Sequence, residues 1–500
     1  MSVESTSVSR YTEVSQWRDR VLRSCANGSR LAGLYATEVG DTPELVAVLS
    51  RGATLELART ALGDERRYPA LTPEIPAAVW YERALHNLSG IEPVGHPQLD
   101  LLLLPQVDGV APPRPGSSET ASDVELTSRD YLAPVSVSGE GVFTLPFGPV
   151  RSGIVESLEL LLETGGEDIL RLDIRPHYKH RQIAKRFEHH TAEDAVLLAE
   201  RVEGVHSVAH ALAFSHALEE GLGVVVPTRA QFIRVILAEL ERIANHLDVI
   251  TQLCECAGLS IAVARFGTHK ERVMRLTSRA TGSRFGRGVI VPGGVTAPLR
   301  GRPEELAAEL GELHREIARD LINLNRSASF LDRLRGTGLL STDLAQRHGA
   351  LGPIGRASDV SLDTRTMRPY DAYPLLDPFI VATSRLTDAL GRMRVREMEM
   401  DSSTALVFEA ASRLQACADE VHLAAPVVVQ DGDFIGVAES AAGEVLYSVQ
   451  FDGGRITRCF ARSASFHNMV LLRHVFAGDV YTDLPFIEAS FGLCYAGVAM

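Results

Sequence analysis

Between residues 228 and 253 the chain places Phe232, Ile236, Leu240, Ile243, Leu247 and Ile250 at intervals of three and four. That spacing predicts one long helix with an apolar stripe, capped by Thr228 after Pro227. Its other face carries Arg234, Glu241, Arg242 and His246, for which contact with water is a sufficient fate. A second stretch, 303–335, has the same period. Elsewhere the pattern alternates. "LAGLYATE" and "ELVAVLSR" read as paired strands, and "GVFTLPFG", "SLELLLET" and "DILRLDIRP" as three more. "EVLYSVQFDGGRITRCFARS" reads as a hairpin turning at "DGG". "TLELARTALGDE" reads as a turn or short helix. The fold class is α+β. A small N-terminal α+β domain (1–105) is followed by a linker rich in Pro, Ser, Gly and acid (106–130). A larger, mainly helical domain with flanking β elements (131–500) completes the chain.

Charge narrows the range of partners. The 500 residues carry a formal charge of -14, which gives no basic field for nucleic acid. No apolar run reaches the length of a membrane-spanning helix, and the N-terminus lacks the apolar core of a signal peptide. The expected location is the cytoplasm, with the membrane reached only through partner subunits. Six scattered cysteines give no disulfide framework. The one tight pair, Cys254 and Cys256, points its sulfurs apart by about 100° per residue if helical. In "EHH", 188–190, adjacent histidines likewise face apart, and the segment reads as surface.

The densest chemistry lies in "ERVEGVHSVAHALAF", 200–214. On a single helix Glu203, His206 and His210 would share one face. Such residues bind metals or move protons.

Motifs spread along the chain carry a resemblance. "ERALHNLSGIEPVGHPQLDLLLL" (82–104) resembles the small hydrophilic subunit of complex I. "GPVRSGIVES", "YKHRQIAK", "RAQFIRVILAELERIANHL", "TGSRFGRGVIVPGGV", "RPYDAY", "RSASF" and "SFGLCYAG" follow in order. Together they resemble the large subunit of membrane-bound, formate hydrogenlyase-type (group 4) NiFe hydrogenases and the quinone-site subunit of complex I. The resemblance implies a hydrogenase-large-subunit-like second domain. It also implies four cysteine thiolates around nickel and iron, in an Arg-x-Cys-Gly-x-Cys and an Asp-Pro-Cys-x-x-Cys motif. Here the cysteines of the first are replaced by Glu203 and His206. In the second, Cys494 remains and Gly497 takes the other place. One thiolate does not replace four, so hydrogen activation at nickel is not expected. Three residues follow Gly497, and no C-terminal peptide is expected to be removed. The two positions that contact a quinone in complex I fall near Val155 and on Gly204, so a quinone site requires polar contacts from other residues.

The resemblance also marks Glu156 as an acid on a proton path, against a solvated strand-end carboxylate, and His180 and Arg181 as a pair near the domain contact. For Glu203, His206 and His210 three readings stand. One is a packed helix with satisfied polar groups. Another is a proton-handling cluster in which burial pushes the acid up and the histidine down. The third is a non-nickel metal site of Glu203, His206 and Cys494. The function implied is that of a core subunit of a membrane-bound oxidoreductase related to complex I (NADH:quinone oxidoreductase) and energy-converting hydrogenases. It would couple electron transfer to proton movement on the inner face of the cell membrane. Its partners would be a small iron–sulfur subunit and membrane-arm subunits. No cofactor is expected in this chain, and the iron–sulfur cluster would reside in the partner. The alternatives are a non-catalytic scaffold of such a complex and a metalloenzyme with a non-nickel site.

Overall fold

The computed structural model describes residues 6–39, 42–100, 102–104, 137–151, 156–417, 421–476 and 478–500. The expected linker, 106–130, and Val155 lie outside the described residues. Strands Thr6–Tyr11, Arg30–Val39, Thr42–Arg51 and Thr54–Ala61 form one sheet in the order first, fourth, third, second. The first pairs parallel with the fourth, and the other pairs are antiparallel. Thr54–Ala61, expected as a turn or short helix, is therefore a strand. Leu55 and Leu57 alternate onto one face while Ala58 turns to the other, where its carbonyl accepts from Trp17 Nε1 at 2.9 Å. Burial on both faces overrides the helical preference of Leu, Glu and Ala.

Near the C-terminus, Gly432–Ser440, Gly443–Asp452 and Arg455–Arg462 form an antiparallel sheet. Its second turn is the expected "DGG", with Gly453 and Gly454 at φ of 56° and 73°. This sheet packs on the N-terminal one, with Val46, Val48, Leu55 and Leu57 against Ile435, Val437 and Leu446. Tyr35 and Ser448 join across the seam at 2.6 Å, as do Arg30 and Glu444 at 2.6 Å. The N-terminal region and the C-terminal hairpins thus share a core. The other expected strands, Phe143–Phe147, Glu159–Thr164 and Ile169–Arg175, form a separate antiparallel sheet.

Helices Thr228–Cys256, Ser260–Thr281, Pro303–Leu324 and Ala389–Ala416 pack side by side. The stretch 303–335 breaks at 325–327, where Asn325 and Ser327 favour turns, and resumes as Ala328–Leu334. Most of the polar face of Thr228–Cys256 is not solvated: Arg234, Arg242 and His246 are fully buried, and only Glu241 is partly open. Arg234 pairs with Glu219 and, at 2.9 Å, with Asp371. His246 meets Glu399 at 2.8 Å, and Arg242 donates to the carbonyls of Glu439 and Ser440, each at 2.9 Å. Charge is tolerated inside because these buried cations meet acceptors. Among the described residues no helix is long and apolar enough to cross a membrane.

Candidate functional site

The stretch 200–214 is not one helix. The helix Ala192–Ala199 ends in a turn, and His206 is the N-cap residue of the next helix, Ser207–Leu222. Glu203 belongs to the turn, so the shared helical face expected for the three residues does not exist. The turn nevertheless folds the Glu203 carboxylate back onto both histidines. Its Oε2 lies 2.5 Å from Nδ1 of His206 and 3.4 Å from Nε2 of His210. Nδ1 of His210 meets the Tyr447 hydroxyl at 2.8 Å. The exposures of Glu203, His206 and His210 are 1%, 0% and 0%, so solvent takes no part in these contacts.

The second motif arrives from the far end of the chain. The helix Leu484–Phe491 stops at Gly492, whose φ of 63° suits glycine. The chain then runs through Cys494 to Gly497. A Cβ placed on Gly497 would overlap the Glu203 carboxylate, so this position is open only because it is glycine. Arg181 ties the two loops together by donating to the carbonyls of Val202 and Ala496, each at 2.7 Å. Glu156 accepts from the Ala496 N–H at 2.7 Å and lies 3.7 Å from Sγ of Cys494. The structure therefore brings together all the singled-out residues: Glu156, Glu203, His206, His210, Cys494 and Gly497.

Electrostatics reverse the expected titration. Burial works against the charged form of both partners, but the ion pair outweighs it. The imidazolium of His206, with help from His210, holds Glu203 well below the usual carboxylate range. Glu203 in turn raises His206. His210 is lowered, chiefly by burial. Burial, and then the charges of Glu203 and Glu156, push the Cys494 thiol well up. A protonated thiol is a poor metal ligand. The residues do not fit a four-thiolate nickel–iron cluster: one thiol remains, and the Glu203 carboxylate occupies the space that a side chain on residue 497 would need. Among the described residues no group of three or more His, Cys, Asp or Glu is arranged to hold a metal ion.

Beside this cluster a cleft of about 450 Å³ opens between the helices Thr228–Cys256 and Ser260–Thr281. Gly204, Val205, Leu240, Glu241, Met274 and Phe285 contribute to its walls. Gly204 brings only backbone to it. The sequence marks Arg181 only as half of a pair near the domain contact and puts Glu241 on a solvated helix face, and it gives no role to Tyr447, the partner of His210. For Glu241 a signal existed, a carboxylate on a helix with apolar residues on most sides. For Tyr447 there was none. Glu188 of "EHH", expected on the surface, is buried against Lys185 at 3.3 Å, while His189 and His190 are exposed.

Residues 20–115 match the family model of the respiratory-chain NADH dehydrogenase 30 kDa subunit, and residues 258–429 that of its 49 kDa subunit. The chain is 29% identical to formate hydrogenlyase subunit 5 of Escherichia coli over 444 residues, 86% of this chain and 76% of that protein. It is 32% identical to NADH-quinone oxidoreductase subunit 4 of Thermus thermophilus over 382 residues, 70% of this chain and 92% of that protein. In fold it is similar to a chain of the membrane-bound sulfane sulfur reductase, an archaeal respiratory membrane complex. That match has a TM-score of 0.64 at 24% identity and covers 74% of this chain and 100% of that one. This chain belongs to the family of the respiratory-chain NADH dehydrogenase 49 kDa subunit and its hydrogenase relatives, with a region of the 30 kDa-subunit type fused in front.

Proposed function

We propose that this chain is the core subunit of a membrane-associated redox complex of the complex I and energy-converting hydrogenase kind. In it, a Glu203–His206 ion pair handles protons at the place where the hydrogenases hold nickel and iron. The observation that carries the reading is the placement of that pair. Glu203 and His206 stand at the two cysteine positions of the first motif, 2.5 Å apart and fully buried. Glu203 also packs against Gly497 at a cysteine position of the second. A buried acid and base in direct hydrogen bond can pass one proton between them as a nearby charge changes. Electrons arriving in a neighbouring subunit would supply that change. The iron–sulfur cluster belongs to a small partner subunit, and membrane-arm subunits complete the assembly. The apolar cleft beside Gly204 suits a quinone-like acceptor that is held mainly by apolar contact.

The pair and a metal cluster are exclusive readings of the same place, so elemental analysis separates them. The complex purified from its native membrane is expected to contain no stoichiometric nickel and to reduce no viologen dye with hydrogen. One nickel per chain, or hydrogen-dependent dye reduction, would overturn the proposal.

A further inference from the structure

Glu241 links the cleft to the first turn of the helix that begins at His206. It stands on the helix Thr228–Cys256, and its carboxylate accepts from the backbone N–H groups of Val208 at 2.7 Å and Ala209 at 3.1 Å. These are free N–H groups in the first turn of Ser207–Leu222, the ones that an N-cap side chain ordinarily satisfies. His206 holds the N-cap position and makes no such bond. The neighbouring helix supplies the acceptor instead, which leaves the His206 ring to Glu203. The same carboxylate lies in the wall of the cleft. On the buried side, Nε2 of His206 has no hydrogen-bond partner among the described residues. An acid at a cleft wall, bound to the helix turn that follows a buried imidazole with one ring nitrogen uncommitted, has the parts of a proton relay through an intervening water.

We propose that Glu241 carries protons between the cleft and His206. The imidazolium of His206 gives its Nε2 proton to a water drawn in from the cleft, that water passes a proton to the Glu241 carboxylate, and the acid releases it to the cleft. The reverse steps return it. The Nδ1 proton stays on the hydrogen bond to Glu203 throughout, so each passage moves one proton and leaves the water intact.

The charged groups around Glu241 leave it able to take both forms. Along the cleft, Lys270 is held by Asp248 at 2.6 Å and Arg284 by Glu271 at 3.1 Å. The other charges acting on it are His206, from the turn before Ser207–Leu222, and Arg242 on its own helix. Among the described residues no ion pair is formed by Glu241 itself. Burial raises it to about 7, against the pull of His206 and the two N–H groups.

This inference rests on the reading of Glu203 and His206 as a proton-handling pair, but its test is separate from turnover. In the full chain with ¹⁵N-labelled histidine, the exchange of the His206 Nε2 proton with water is followed by NMR against pH. His206 is assigned with His206→Gln. Exchange is expected to quicken as Glu241 ionises through about pH 7. In Glu241→Gln it should slow by at least about ten-fold and lose that pH dependence. Glu241→Asp should keep a pH-dependent exchange with a displaced midpoint, and it decides the matter if Glu241→Gln does not fold. Unchanged or faster exchange in Glu241→Gln would mean that the carboxylate only caps the helix and keeps water out. Loss of all pH dependence in Glu241→Asp would overturn the relay equally. Normal exchange in Glu241→Gln, in a complex whose turnover still needs Glu203, sinks the relay alone. Slowed exchange in a complex indifferent to Glu203 sinks the proton-pair reading.

Discussion

Glu203 and Gly497 are fitted to each other although they are far apart in sequence. The carboxylate lies where any side chain at residue 497 would begin. Gly497→Ala should therefore destabilise the chain by about 1–3 kcal/mol, as overpacking in a closed interior does. Combined with Glu203→Ala, which removes the obstructing carboxylate, the alanine should cost much less than it does alone. Urea midpoints of the two single variants and the double variant test this. Strict additivity would mean that the two residues do not meet. From the sequence alone, both positions were legible as departures from cysteine. That one departure depends on the other was not, because nothing local to residue 497 shows what packs against it.

At the level of elements, legibility followed the range of the forces. The helix Thr228–Cys256 and the hairpin at "DGG" were readable because period and turn residues are local properties. The burial of the helix's polar face was not, since its partners come from remote segments. Glu239 of this helix accepts from Arg365 at 3.0 Å and from Ser403 at 2.6 Å. Arg365 also pairs with Asp363 at 2.7 Å, and Arg356 bridges Asp363 and Glu399 at 2.6 and 2.9 Å. Removing one member leaves buried charge without its counter-charge. Arg365→Leu should accordingly lose about 3–5 kcal/mol in chemical denaturation, and a loss below about 1 kcal/mol, typical of exposed pairs, would contradict this account of the bundle. The turn at Glu203 escaped for a related reason. A run that suits a helix is interrupted at Gly204 so that tertiary contacts can pull the carboxylate inward.

Across the whole molecule, the site hangs between segments that the sequence keeps far apart. Leu446 faces the N-terminal sheet, and the next residue, Tyr447, turns the other way to hold His210, as alternation along a strand requires. Arg181 joins the first motif to the last residues of the chain. The fused front region thus braces the sheet from which the site is held, which gives the N-terminal sheet a part in placing His210. The buried Glu203–His206 pair is proposed to handle the protons of a redox complex. Electron transfer by the assembled complex from a reduced viologen dye to an added soluble quinone, measured against pH in wild type and in Glu203→Gln, tests this role most directly. The glutamine keeps shape and hydrogen-bonding reach but removes the charge that raises His206, so His206 falls to the level that burial sets. With folding confirmed by circular dichroism, the account predicts a loss of turnover of roughly a hundred- to ten-thousand-fold across the neutral range. A folded variant running at the wild-type rate throughout would contradict it.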